Sequence, residues 1–148
     1  MADSTARSAR APWHLWLVAV ASLLWNSVGA FDFLMTQTRN KAYMASFSQA
    51  QLDFYYGFPA WVMAAWGIAV WGGVLGSLML LIRRRQALPL FLASLICLVL
   101  TDVRNLGFTD GLKVMGGAQA LAITAVIFAI AVLLLVYARS MRRRGVLR

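Results

Sequence analysis

The chain has 148 residues, of which 61% are hydrophobic and 13% charged, with a mean hydropathy of +0.72 and a formal net charge of +9. That balance lies far outside soluble composition and points to a lipid-embedded protein of one domain. A net charge of this size can signal nucleic-acid binding, but its distribution along the chain explains it better without nucleic acid.

Four apolar runs of about 20 residues each can cross roughly 30 Å of hydrocarbon at about 1.5 Å per residue. No alternating strand pattern recurs, so the expected fold is all-α: a four-transmembrane-helix bundle with a short outer-surface interfacial helix. The expected spans are about 13–34, 58–82, 87–104 and 117–138, and the surface helix is 49–56. Arg7, Arg10, Arg83, Arg84, Arg85, Arg139, Arg142, Arg143, Arg144 and Arg148 all fall on one side of such a bundle. On the other side, Arg39, Lys41, Arg104 and Lys113 balance Asp32, Asp53, Asp102 and Asp110. This is the positive-inside pattern, which predicts cytoplasmic termini. Anionic lipid headgroups are a natural further partner for the basic side.

Residues 1–11 read as a short basic tail, and Trp13 and Trp16 as interfacial anchors for the first span. The apolar stretch runs on through Phe31, too long for the apolar segment of a signal peptide. His14 is the one histidine and reads as an interfacial side chain. From Trp13 to Asp32 is about 28 Å of helix, placing the carboxyl near the outer hydrocarbon boundary, where a charge costs less than the roughly 2.5 to 3.5 kcal/mol of the bilayer centre. Ser22, Trp25, Gly29 and Asp32, with Asn26 adjacent, form a polar stripe expected to face protein.

Ser48 and Gln51 have the spacing of a capping box, and Phe47 and Leu52 that of a hydrophobic staple, which starts a helix at Gln49. Gly57 and Pro59 then close it. The rings of Phe54, Tyr55, Tyr56, Phe58 and Trp61 suit an interfacial belt, and aromatic rings of this kind also stack on sugars.

In the second span, Ala65, Ala69, Gly72 and Gly76 recur every three or four residues, and Ala118, Ala122, Ala125 and Ala129 do so in the fourth. Both stripes are expected to let helices approach closely, which is how bundles cohere where lipid removes the hydrophobic drive. The second span covers about 36 Å, so tilt is expected. Trp66 and Trp71 lie deeper than a belt would put them. The third span loses apolar character after Leu100, and Arg104 lies about 28 Å from Arg85, at the depth of Asp32. A pairing of Asp32 with Arg104, with Asp102 nearby, is therefore expected, either to pin two helix ends or as part of a substrate site.

No motif carries recognisable chemistry. Cys97 is solitary, there is no glutamate, and no metal-ligand set, serine-histidine pair or phosphate loop is present, so neither enzyme activity nor a cofactor or metal is expected.

The runs FDFLMTQTRNKAYM and YYGFPAWVMAAWGIAVWGGVLGSLMLLIR, with the ending YARSMRRRGVLR, resemble a family of small four-helix inner-membrane proteins of proteobacteria, some of them labelled sugar transporters. The resemblance implies a bacterial inner-membrane location but identifies no site residues. Two functions are thus expected. The first is an accessory or assembly subunit of a larger membrane complex. The alternative is a dimeric sugar-type transporter, with Trp25, Asn26, Asp32, Tyr55 and Tyr56 as its substrate contacts; four helices enclose too little to alternate access alone.

Overall fold

The computed structural model describes residues 10–148, all of its regular structure being helical. The N-terminal tail containing Arg7 lies outside the described residues. Four helices are long and apolar enough to cross a membrane, and the chain is a multi-pass membrane protein: α1 (Trp13–Gln37), α4 (Ala60–Leu81), α5 (Ala87–Gly107) and α7 (Ala118–Arg143). Three short helices, α2 (Lys41–Met44), α3 (Gln49–Tyr56) and α6 (Gly111–Val114), join them at the end opposite the termini.

Local chemistry explains most boundaries. Pro12 and Pro59 stand in extended conformation immediately before α1 and α4, where a residue without an N–H leaves no helical bond unmade. Pro59 also explains why α4 starts at Ala60 and not at Phe58. Pro89 lies in the first turn of α5, whose N–H groups have no intrahelical acceptor in any case. In α3, Ser48 Oγ accepts from the Gln51 amide at 3.3 Å while Gln51 Oε1 accepts from the Ser48 amide at 2.9 Å. Three spans outrun their apolar runs, α1 by three residues, α5 by three and α7 by five. Arg139, Arg142 and Arg143 thereby lie within α7, and cations in a last turn complement the partial negative charge of a helix C-terminus.

α4 is the organiser of the bundle. It packs along α1 on one side and α5 on the other, and α7 packs against α5. Gly72 and Gly76 make the α4–α5 contact close: a Cβ at Gly76 would lie 2.8 Å from the Phe91 ring, and one at Gly72 3.2 Å from Ser94 Cβ. Ser94 Oγ donates to the Ala69 carbonyl across the same contact. On its other face, α4 meets α1 through a polar clamp. Asn26 Nδ2 donates to the Ser22 carbonyl at 2.8 Å and to Ser77 Oγ at 3.2 Å, and Ser77 donates to the Gly73 carbonyl at 2.8 Å. Gly73 leaves room for this clamp, because a Cβ there would meet the Asn26 amide group and force it to move.

The four long helices converge only at the end carrying the termini. Leu15, Ala19, Leu80, Ala87, Phe91, Leu134, Ala138 and Met141 form one core there, completed by Val146 and Leu147. His14 Nδ1 and the Tyr137 hydroxyl share a hydrogen bond of 2.6 Å that ties α1 to α7 at this end. Towards the other end α7 loses its neighbours: its first buried residue is Leu134, and Ala118, Ala122, Ala125 and Ala129 are all exposed. The expectation that the alanine stripe packs within the chain is thus corrected. The small-residue pattern is present, but its four alanines are left exposed, with Ala125 facing α5 across an open groove.

Candidate functional site

The end opposite the termini is built from rings. Tyr43 of α2 meets Phe31 edge-on and Phe47 at a tilt, and Phe47 meets Tyr55. Tyr55 stacks on Trp66 at 5.9 Å and 21°, and Trp66 also takes the edge of Phe33 at 5.0 Å. Phe54 and Phe58 close the cluster. Its position follows from three local devices: the capping box that orients α3, Pro59 that turns the chain into α4, and Asn40, whose side chain accepts from the Tyr43 amide to start α2. Edge-to-face pairs contribute about 0.5–1.5 kcal/mol each beyond burial, so the cluster is a rigid cap more than a loose belt.

Charged groups sit on its rims. Asp32 accepts a hydrogen bond from the Tyr43 hydroxyl at 2.7 Å. That bond, with burial and the charge of Asp32, pushes the Tyr43 phenol from 10.0 up to about 12. Burial pushes the Tyr55 phenol up as well, with the Asp32 charge adding to it. The Arg39 guanidinium lies 4.4 Å over the Tyr56 ring, and that of Arg104 5.0 Å over Phe58. Arg104 also donates to Asn105 Oδ1 at 3.1 Å.

The expected Asp32–Arg104 ion pair does not form: Asp32 accepts from Tyr43, while Arg104 lies over Phe58 and donates to Asn105. The reason is the order of the helices. α4 lies between α1 and α5, and the path from Asp32 to Arg104 runs through Tyr43, Phe47, Tyr55 and Phe58. The two charges share an end of the molecule but occupy opposite rims of its aromatic cap.

Other expected contacts disperse. Asn26 is committed to the α1–α4 clamp, Trp25 is exposed on the outside of α1, and Tyr55 and Tyr56 are held by Trp66 and Arg39. Trp66, to which the sequence assigned no role, is a centre of the aromatic cap, whereas Trp71 is exposed on α4.

Asp102 is the residue the fold sets apart. It lies on α5 in a groove of about 550 Å³ between α5 and α7, otherwise lined mainly by apolar side chains including Val99, Leu121, Ala125 and Phe128. It is half-buried and has no hydrogen-bond or ion-pair partner among the described residues. A carboxyl group at a membrane-facing groove is costly without a partner, and such groups usually face protein or water. Ala125 belongs at once to this groove and to the exposed alanine stripe, so the unsatisfied acid and the smooth face are continuous. No position outside α5 signals this in the sequence, because the groove arises from the divergence of α7.

Compared with protein-family models, curated proteins and solved structures, the chain matches none.

Proposed function

We propose that the protein is a noncatalytic accessory or assembly subunit of a larger bacterial inner-membrane complex, with both termini in the cytoplasm, and that it docks through the α5–α7 face. The observation that carries this reading is Asp102, without a partner among the described residues, in a groove that includes Ala125 of the exposed alanine stripe. The occupant that fits is a transmembrane helix of a partner subunit that places a basic or hydrogen-bond-donating side chain at the depth of Asp102. Small residues allow its backbone to come close, and the donor satisfies the acid, two contributions that lipid tails cannot make. The excess of arginine at the terminal end supports the orientation.

The dimeric sugar-type carrier suggested by the family resemblance is the weaker proposal. Tyr55 and Trp66 stack on each other, which takes one face of each ring from a sugar, and Asn26 serves helix packing.

The test is native electrophoresis of mildly solubilised membranes, with cross-linking from Ala125→Cys in a Cys97→Ser background. Co-migration with a larger complex and a cross-link to a different polypeptide are expected, and Asp102→Asn is expected to weaken both. Migration solely as a monomer or homodimer, with no heterologous cross-link, would overturn the assignment.

A further inference from the structure

The groove between α5 and α7 holds a second polar group besides its acid. On α5 it runs from Val99 to Gly107, about 12 Å of helix, and on α7 from Leu121 to Phe128, about 10 Å. The two helices are antiparallel, so Leu121 lies level with Leu106 at the end opposite the termini, and Phe128 level with Val99 deeper in the bundle. Asp102 of α5 and Thr124 of α7 then fall near the middle, on opposite walls. Both are half-buried, and neither side chain has a hydrogen-bond partner among the described residues. Two unused polar groups that converge in an otherwise apolar recess of about 550 Å³ have the make-up of a small-ligand site, for which roughly 300–1,000 Å³ is usual.

The lining selects the ligand's charge. It carries one carboxyl, one hydroxyl and no basic side chain. A carboxylate attracts a cation, and the hydroxyl oxygen is a second acceptor, so the group that satisfies both is a protonated amine with N–H bonds to give. Depth selects what carries the amine. From Arg85, at the foot of α5, to Asp102 is about 26 Å of helix, which places the acid just inside the far edge of roughly 30 Å of hydrocarbon. An amine borne directly on an alkyl chain reaches that depth, with its chain against Val99, Val103 and Phe128. An aminophospholipid instead puts a phosphate between its chains and its amine, and no basic residue of the groove receives that phosphate beside the Asp102 carboxylate.

We propose that the α5–α7 groove binds a single-chain alkylammonium amphiphile, its ammonium held by Asp102 and Thr124. Binding needs no partner subunit. That a bound amine keeps a partner helix out of the groove is a consequence that rests on the docking reading.

The full-length protein in detergent is titrated with hexylammonium chloride, with hexanol and with dihexanoylphosphatidylethanolamine. Binding is read from the thermal midpoint and from alkylation of Ala125→Cys in a Cys97→Ser background, with Val28→Cys, on the exposed face of α1, as the distant thiol. Hexylammonium is expected to raise the midpoint saturably and to slow alkylation at Ala125→Cys but not at Val28→Cys, and the other two compounds are expected to do neither. Asp102→Asn should weaken the apparent affinity at least about tenfold, as loss of a charge-assisted bond does, and Thr124→Val about fivefold. Asp53→Asn removes a carboxylate from an exposed position at the same end and is expected to leave the affinity within about twofold. Asp102→Glu keeps the acid and should recover most of the binding, and helical circular dichroism checks the folding of each variant. Equal loss in Asp102→Asn and Asp53→Asn would reduce the effect to bulk charge and overturn the proposal. So would equal protection by hexanol, Asp102-dependent protection by the phosphatidylethanolamine, or no saturable response to hexylammonium. Every measurement is made on the isolated protein, so these outcomes hold whether or not a partner subunit is found.

Discussion

Two helices of this protein carry the same spacing of small residues and use it in opposite ways. In α4, Ala65, Ala69, Gly72 and Gly76 are buried against neighbours, whereas in α7, Ala118, Ala122, Ala125 and Ala129 are exposed. The difference is not in the stripes but in what accompanies them. Around α4 stand complementary groups: Phe91 and Ser94 over its glycines, and Asn26 reaching Ser77. Beside the α7 stripe stands Asp102, with no partner among the described residues. A small-residue stripe lets a backbone come near; polar groups with fixed partners decide which one does.

The comparison can be broken most forcefully at Gly73. Gly73→Val drives a side chain into Asn26 and separates α1 from α4, and a loss of roughly 1–3 kcal/mol or outright misfolding is expected. Thermal unfolding in detergent measures it, and a midpoint equal to wild type would mean that the α1–α4 contact is not the close one described. Removing the clamp without adding bulk is milder: Asn26→Leu should cost about 0.6 to 2 kcal/mol, the range for interhelical hydrogen bonds in membranes.

Next in size is the rim of the aromatic cap. Because the Tyr43 phenol is held near 12 when folded and near 10.0 when unfolded, its bond to Asp32 contributes fully below about pH 10 and is lost as the pH rises through 12. The phenolate absorbance difference between wild type and Tyr43→Phe isolates this group. Asp32→Asn should bring its titration back down towards 10.0, and an unchanged curve would show that Asp32 is not the cause.

The smallest effect on the fold belongs to α7. Ala122→Leu should change the stability of the isolated protein by less than about 0.5 kcal/mol, since the position is exposed. The same substitution should nevertheless disrupt co-migration with a partner. A large loss of stability in the isolated protein would mean that α7 packs along its whole length after all.

Much of the architecture was legible in the sequence, and the exceptions have physical causes. The surface helix was read to the residue because Ser48 and Gln51 form a local device, complete within one turn. Span ends were misjudged by a few residues because hydropathy reports where lipid ends, while a helix continues into water as long as its hydrogen bonds and terminal charges allow. Matching depths for Asp32 and Arg104 came out of simple helix rise, and both do border the aromatic cap. Their partnership was not legible, since depth says nothing about which helix stands between them. For the same reason Trp66 had no visible role: its ring partners Phe33 and Tyr55 come from two other elements.

The clamp between Asn26 and Ser77 also bears on how the protein is made. The two residues are 51 positions apart, so at a synthesis rate of about 5 to 20 residues per second the amide waits roughly 3 to 10 s for its acceptor hydroxyl to be translated. During that interval the first helix holds a polar group that lipid cannot accommodate. Its release from the insertion machinery is therefore expected to be delayed until α4 arrives, and the two should enter the bilayer as a pair.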